Sequence, residues 1–147
     1  MYSQAIVDFQ AGYSYIEHVS LGVGIRNQKN KVSVLVGSNF FVNIKSFSSY
    51  YVQYESLRGF QLYDSVHVNF GIKAGYSIYS NTYYTWNLLS AAPMAFVNYT
   101  YSPKIHFVAS AGVMCTRILR VKRLAYGEFG WYKPYLPELK CAILYDL

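Results

Sequence analysis

The chain has 147 residues and a formal net charge of +6, and 53% of its residues are hydrophobic while only 14% are charged. Soluble domains carry roughly 25% charged residues, so this composition argues against a surface covered entirely by water. The length fits one domain, residues 1–147, and leaves little room for a second. Seventeen tyrosines are present, and this residue favours boundaries between apolar and wet zones.

The positive charge is mostly spread singly along the chain, which argues against a nucleic-acid partner. The one cluster lies in the segment RILRVKR and comprises Arg117, Arg120, Lys122 and Arg123. We interpret it as a solvated strand end or loop, with contact to lipid phosphates as a further reading. No apolar run is long enough for a transmembrane helix, and the first ten residues lack the pattern of a signal peptide. If the protein is exported, its signal precedes this numbering.

In the first half of the chain, apolar and polar residues alternate with a period of two, which predicts β-strands. The alternating segments are residues 7–15, 19–25, 32–44 and 50–55, and residues 27–30 form a polar turn. The alternation slips near Leu57 to Gly59, which predicts a bulge or a strand end.

In the second half, alternation continues over residues 65–80, 105–115 and 139–147, whereas residues 83–101 are irregular and alternate only from Leu89 to Tyr101. Pro93 lacks a backbone donor and predicts a bulge or a weak edge. Residues 120–137 are the least regular and are interpreted as a longer loop, with a short extension of its flanking strands. These segments predict an all-β, antiparallel, up-and-down barrel of about eight strands, since closing such a meander removes its open edges.

The polar face of these strands is rich in Gly and Ser, which suits the cramped interior of an eight-stranded barrel better than a water-covered surface. The apolar face, with tyrosines near the strand ends, is typical of a lipid-facing band between aromatic girdles, so we predict a transmembrane barrel. Charged groups on the inner face must be paired. We therefore predict a polar network that plugs the lumen and blocks ion flow, formed by Asp8, Arg26, Lys45, Glu55, His67, Lys73 and His106.

The last eight residues, KCAILYDL, resemble the terminal signal by which bacterial outer-membrane barrels are recognised for insertion. Lys140 takes the polar place, Tyr145 the aromatic place and Leu147 the last place, while Ala142 stands where Gly is usual. By its whole pattern the chain resembles the small outer-membrane β-barrels of the broad OmpA and OmpX class. That resemblance implies an integral location in the bacterial outer membrane. The implied partners are outer-membrane lipid, the barrel-insertion machinery and other outer-membrane proteins.

These features predict a non-enzymatic barrel with a structural or accessory role, as a subunit of a larger outer-membrane complex. No catalytic, metal-binding or cofactor-binding residues are predicted, because no phosphate loop or metal-ligand spacing occurs and His67 is not followed by a serine two positions later. The nearest compact set, Glu17, His18 and Ser20, is interpreted as part of a turn. One alternative is a soluble lipocalin-like carrier, whose apolar face would line a ligand cavity. Another is a lipid-modifying enzyme of the outer membrane. Cys115 and Cys141 lie on the apolar face, which favours lipid-facing or buried thiols over a disulfide.

Overall fold

A computed structural model describes residues 5–14, 19–38, 46–81, 83–123 and 135–147. Within these ranges no helix is long and apolar enough to cross a membrane. The described chain forms eight strands: β1 (Ile6–Ser14), β2 (Val19–Arg26), β3 (Asn30–Ser38), β4 (Ser46–Tyr63), β5 (Val66–Ser80), β6 (Tyr84–Thr100), β7 (Ile105–Arg123) and β8 (Tyr135–Asp146).

The strands close into a barrel in which each strand pairs antiparallel with its neighbours in sequence. The ring is closed between the first and last strands, where Asp8 lies opposite Asp146 and Ser14 lies opposite Lys140. Closure leaves no unpaired strand edge among the described strands, so their backbone groups are satisfied within the sheet. The prediction of an eight-stranded, antiparallel, up-and-down barrel is confirmed.

The two faces of the sheet have the polarity of a transmembrane barrel, with apolar side chains outside and charged side chains inside. On β5, Phe70 and Ile72 of the apolar series expose 53% and 49% of their surface, whereas Lys73 of the polar series is fully buried. This orientation is incompatible with a lipocalin-like carrier, because the apolar series lies on the outer wall and lines no internal cavity. The same outward orientation holds for Leu21, Val23, Ile25, Val32, Val34, Val36, Val52, Leu89, Val97, Val113, Leu139 and Ile143.

An asparagine side chain stabilises each of two short connections between strands. The side-chain Oδ1 of Asn27 accepts hydrogen bonds from the backbone N–H groups of Lys29 and Asn30, both at 2.8 Å. Asn81 repeats this arrangement with the N–H groups of Tyr83 and Tyr84, at 2.9 and 2.8 Å. The polar turn predicted at residues 27–30 therefore folds as a side-chain-supported turn.

The irregularities of the sheet agree only partly with the sequence. The register shifts between Ser56 and Phe60, which confirms the slip predicted near Leu57 to Gly59. Of the two alternatives predicted at Pro93, a bulge or a weak edge, the bulge is wrong, because this residue pairs with Ile72 of β5 in an unbroken register. Its missing N–H leaves only a gap in the ladder to β7, which resumes in the same register.

A bulge does occur at the far end of the β6–β7 pair, between Asn87 and Leu88. There the ladder passes from the Leu88–Ile118 pair to the Asn87–Arg120 pair, so that one extra residue is accommodated in β7. The flanking strands extend into residues 120–137 as the sequence predicted, since β7 continues to Arg123 and β8 begins at Tyr135. Tyr84 and Trp86 of β6 lie opposite Arg123 and Val121 in this extension of β7.

The barrel has two unlike ends. The connections at residues 27–29, 64–65 and 101–104 lie at one end, together with the strand ends Ile6 and Asp146, and we call it the turn end. The opposite end, which we call the loop end, takes the connections at residues 15–18, 39–45, 81–83 and 124–134. The connections are thus longer on average at the loop end.

Candidate functional site: the charged lumen

The interior of the barrel combines a charged zone with an apolar one. Its polar lining includes Asp8, Lys31, Glu55, Lys73, Glu138 and Lys140, all at most 5% exposed. The sequence predicted a mainly polar interior interrupted by Leu35 and Phe41, of which Phe41 lies outside the described residues. The apolar zone is larger than that prediction. It arises because the apolar even-numbered residues of β6, Ala92, Met94 and Phe96, face inward. They lie beside four apolar side chains of other strands: Leu35, Val108, Met114 and Leu144.

The most deeply buried ion pair joins Lys73 of β5 to Glu138 of β8, across the lumen. The Lys73 Nζ lies 2.6 Å from the Glu138 Oε1, and the two side chains are 1% and 0% exposed. The same ammonium stands over the ring of Tyr51, 4.1 Å from its centroid. The Tyr51 hydroxyl in turn donates to the Met114 Sδ at 3.7 Å. These contacts compensate the desolvation of both charges and connect four strands through the middle of the barrel.

A second ion pair joins Asp8 of β1 to Lys31 of β3. The Lys31 Nζ lies 3.2 Å from the Asp8 Oδ1, although the approach lies off the direction that a hydrogen bond requires. The intervening strand contributes Gly24, where a Cβ atom would stand only 2.7 Å from the Asp8 Oδ1. The absence of a side chain at Gly24 therefore provides the space for the Asp8 carboxylate.

Glu55 is held by amides instead of a cation. Its Oε1 accepts hydrogen bonds from the Nδ2 groups of Asn69 and Asn98, at 2.9 and 2.7 Å. Glu55 itself is 2% exposed. A buried carboxylate needs such donors, because an unpaired one is costly in a low-dielectric interior.

A polar chain occupies the mouth of the lumen at the turn end. The Asp146 Oδ2 contacts the guanidinium of Arg26 and lies 3.0 Å from the His106 Nε2. On its other side, the His106 Nδ1 lies 3.2 Å from the Thr100 Oγ1. A cavity of about 260 Å³ opens beside this chain and is lined in part by His67. The mouth is therefore polar, wet and cross-linked between β2, β6, β7 and β8.

The sequence-predicted lumen residues fall into two groups, and a further set of lumen residues was not predicted. Six of them lie in the lumen or at its mouth: Asp8, Arg26, Glu55, His67, Lys73 and His106. Lys45 lies outside the described residues. Sequence reasoning missed the partners that complete the ion pairs, namely Lys31, Glu138 and Asp146, as well as the buried Lys140.

A usable signal existed for the missed residues of β8. Leu147, Tyr145, Ile143, Cys141 and Leu139 form the outward series, so counting back from Asp146 in steps of two gives the inward series. That count reaches Lys140 and then Glu138, which directly follows residues 120–137, the region interpreted as a loop. Lys31 was missed because it adjoins the turn at residues 27–30.

The residues of the predicted insertion signal divide between the two faces of β8. Lys140 and Ala142 point into the lumen and are 3% and 6% exposed. Tyr145 and Leu147 lie on the outer surface near the turn end, with 43% and 75% of their surface exposed. The aromatic and terminal positions of the signal are thus the accessible ones.

The charges of the described residues balance inside the lumen and not outside it. The lumen holds four cations and four carboxylates: Arg26, Lys31, Lys73, Lys140, Asp8, Glu55, Glu138 and Asp146. Outside the lumen, the same described ranges carry one carboxylate, Asp64, and seven cations: Lys29, Arg58, Lys104, Arg117, Arg120, Lys122 and Arg123. The positive excess of the chain is therefore displayed at the ends and on the outer wall.

Two further sites were considered from the sequence. Within the described ranges, no group of three or more His, Cys, Asp or Glu side chains could hold a metal ion. Cys115 and Cys141 are both free and lie exposed on the outer wall.

The architecture is similar to that of known barrels. Neisserial surface protein A, known from a crystal structure, matches with a TM-score of 0.55 and 14% sequence identity, over 97% of this chain and 94% of that one. A de novo designed protein, TMB2.3, known from a solution NMR structure, matches with a TM-score of 0.44 and 15% identity, over 99% of this chain and 94% of that one. At such identities the likeness to the Neisserial protein concerns the fold. No protein-family model and no curated protein matches the chain.

Proposed function

We propose that the protein is an integral β-barrel of the bacterial outer membrane, with a closed lumen and a structural or accessory role in a larger membrane complex. The observation that carries this proposal is the polarity of the barrel: on β5, Phe70 and Ile72 are exposed on the outer face, whereas Lys73 is fully buried on the inner face. In water this arrangement would expose a continuous apolar wall, whereas in a bilayer it is the stable one. The similar fold of Neisserial surface protein A supports the proposal.

The orientation in the membrane follows from the two ends of the barrel. Outer-membrane barrels have short turns on the periplasmic side and longer loops outside. The turn end therefore faces the periplasm and the loop end faces the cell exterior. In this orientation Tyr145 and Leu147 lie at the periplasmic end, from which the insertion machinery approaches a barrel during assembly.

The outer wall supports the accessory role. Along β6, β7 and β8 it has a shallow groove with the small side chains of Ala95, Ala109, Ala111 and Cys141 in its lining, beside the larger ones of Tyr13, Val97 and Leu139. Small residues allow the backbone of a neighbouring membrane segment to approach closely. A photo-crosslinking residue at position 109 should therefore trap a second outer-membrane protein, identified by mass spectrometry. The same residue at Val34, on the opposite wall, serves as the control, and equal adducts at both positions would argue against docking in the groove.

The enzymatic alternative has one arrangement in its favour. Thr100, His106 and Asp146 are linked in the order hydroxyl, imidazole and carboxylate, as in nucleophilic hydrolases. However, the Asp146 carboxylate also contacts the guanidinium of Arg26, and the three linked side chains face the lumen and not the lipid. We therefore assign it a structural role and expect no lipid turnover. Phospholipid hydrolysis by the wild-type protein that is lost in Thr100→Val and in His106→Gln would refute this assignment.

The experiment that tests the proposal combines membrane fractionation with gel mobility. The protein should co-sediment with outer membranes, resist extraction by high salt and alkali, and need detergent for solubility. Closed membrane barrels commonly resist SDS until heated, so unboiled and boiled samples should migrate differently. A protein that remains monomeric in plain buffer and shows no heat-dependent mobility would contradict an integral barrel.

A further inference from the structure

The outer wall of the barrel carries an unbalanced group of cations at the loop end of β7. Arg117, Arg120 and Lys122 are all exposed, and none forms an ion pair with a carboxylate among the described residues. The single exposed carboxylate of the described ranges, Asp64, lies at the opposite end of the barrel. We call Arg117, Arg120 and Lys122 the cationic patch.

The bulge in the β6–β7 ladder brings these three side chains to one face. In a regular strand, positions 117 and 120 would point to opposite faces, because their spacing is odd. Here Arg117 pairs with the outward Leu89, and the extra residue in β7 lets Arg120 pair with Asn87, two positions away on the same face of β6. Lys122 follows opposite Thr85, again on that face. The bulge thus turns Arg120 away from the lumen and toward the outer surface.

The patch begins where the apolar outer wall of β7 ends. The exposed Val113 and Cys115 precede it on the same face of β7, and Cys115 lies opposite Tyr135, which is 67% exposed. Arg117 follows about 7 Å further along the strand, a distance similar to the thickness of one headgroup layer, and Arg120 and Lys122 lie further toward the loop end. Beside it the hydroxyl of Tyr76 donates to the Asn87 Oδ1 at 2.7 Å.

We propose that the cationic patch binds the phosphate groups of anionic lipid in the leaflet at the loop end. Arginine donates paired N–H groups to phosphate oxygens, and lysine adds a point charge on a flexible stem that reaches back toward the headgroups. The neighbouring apolar wall and tyrosines hold the acyl chains and the glycerol region of the same lipid molecules. This inference rests on the membrane location proposed above.

The experiment measures lipid binding to the folded, detergent-solubilised protein by native mass spectrometry. The wild-type protein is titrated with phosphatidylglycerol and, separately, with phosphatidylcholine of the same acyl chains. We expect a clear preference for phosphatidylglycerol that weakens with added salt. Each single substitution, Arg117→Gln, Arg120→Gln or Lys122→Gln, should weaken phosphatidylglycerol binding roughly fivefold, and the triple variant should lose the preference.

A matched control variant separates the patch from the net charge of the protein. Lys29→Gln, Arg58→Gln and Lys104→Gln remove three exposed cations from the turn end, so both triple variants have the same formal charge. The turn-end variant should keep the wild-type preference. Equal losses in the two variants would overturn the inference, and so would complete displacement of the lipid by inorganic phosphate at equal concentration, since the patch would then recognise free anions.

The outcomes also separate this inference from the proposed function. A wild-type protein that inserts into vesicles and shows heat-dependent mobility, yet has no preference for phosphatidylglycerol, refutes the lipid site alone. A wild-type protein that neither inserts nor needs detergent refutes both. The salt dependence of wild-type binding needs no variant, so the inference stays testable if the triple variant fails to fold.

Discussion

Lys73 illustrates how single residues determine the interior of this barrel. A lone ammonium in a dry lumen would be strongly destabilising, but Glu138, 2.6 Å away, and the ring of Tyr51 replace its lost hydration. Such a pair contributes little compared with apolar side chains of the same volume, yet breaking it leaves one buried charge without its counter-charge. Replacing one member of the Lys73–Glu138 pair should therefore lower the free energy of unfolding much more than replacing both members by apolar residues.

We expect Glu138→Ala to lower the free energy of unfolding by roughly 3–5 kcal/mol, because the Lys73 ammonium stays buried without its carboxylate. The double variant Lys73→Met/Glu138→Leu should recover most of that loss. Urea unfolding in detergent micelles, followed by tryptophan fluorescence, measures both values. The single variants Lys73→Met and Glu138→Leu complete the comparison, and a loss in the double variant equal to the sum of theirs would contradict a mutually dependent pair.

Gly75 allows β4 and the Tyr51 ring to approach β5 closely. Gly75 lies directly opposite Tyr51, and a Cβ atom at Gly75 would overlap the Tyr50 carbonyl oxygen and lie 2.7 Å from the Tyr51 Cδ1. Gly75→Val should therefore force the two strands apart, displace the ring from its place over Lys73 and lower the urea midpoint. Ala74→Val, on the outward face of the same strand, is the control and should leave the midpoint nearly unchanged. Equal effects of the two substitutions would show that the close contact is unimportant.

At the scale of elements, β8 has two separate tasks. Its inward face supplies Glu138 and Asp146 to the lumen pairs, and its backbone closes the ring against β1. Its outward face carries the aromatic and terminal positions of the predicted insertion signal. Because the two faces alternate residue by residue, a change on the outer face should affect assembly without disturbing the lumen.

We expect Tyr145→Ala to slow insertion by the assembly machinery severalfold while leaving the urea midpoint of the finished barrel almost unchanged. Tyr145 is a partly exposed outer residue, so little packing is lost. The rate is measured as the appearance of the heat-modifiable band in vesicles containing the purified machinery. Tyr135→Ala, at the other end of the same strand, is the control. Similar slowing by both substitutions would contradict a signal located at the turn end.

For the whole molecule, the balanced charges and the apolar side chains of the interior predict a barrel that does not conduct. The lumen is crossed by the Lys73–Glu138 pair and filled in part by the buried side chains of Leu35, Met94 and Phe96. At the loop end, the rings of Tyr79, Trp86 and Tyr84 pack against one another, with centroids 5.2 and 5.3 Å apart. An eight-stranded ring leaves little space beyond what these side chains fill.

We therefore predict no stable ion current when the wild-type protein is reconstituted in planar bilayers. The variant Tyr51→Ala/Lys73→Ala/Glu138→Ala removes the central cross-link of the lumen and should show resolvable openings. Tyr50→Ala, which shortens the neighbouring tyrosine on the outer wall, should remain silent. A large and stable current from the wild-type protein would refute the closed lumen.

The sequence by itself determined the strand number, the antiparallel order and which face of each strand is apolar. These follow from the period-two alternation, which is a local property: Asp8, Phe70 and Lys73 each reveal their face through their immediate neighbours. The likeness of the final residues to an insertion signal was also visible locally. Even the slip near Leu57 to Gly59 could be predicted, since it disturbs the alternation itself.

Only the tertiary structure decided which charges meet. Lys73 and Glu138 are 65 positions apart and Arg26 and Asp146 are 120 apart, and their pairing depends on the stagger of all eight strands around the ring. Alternation gives the face of a side chain but not its height along the barrel axis. That height depends on how far each strand is shifted along its neighbour, and these shifts add up around the ring. For the same reason the bulge that aligns Arg117 with Arg120 could not be seen in the sequence: it becomes visible only in the ladder with β6.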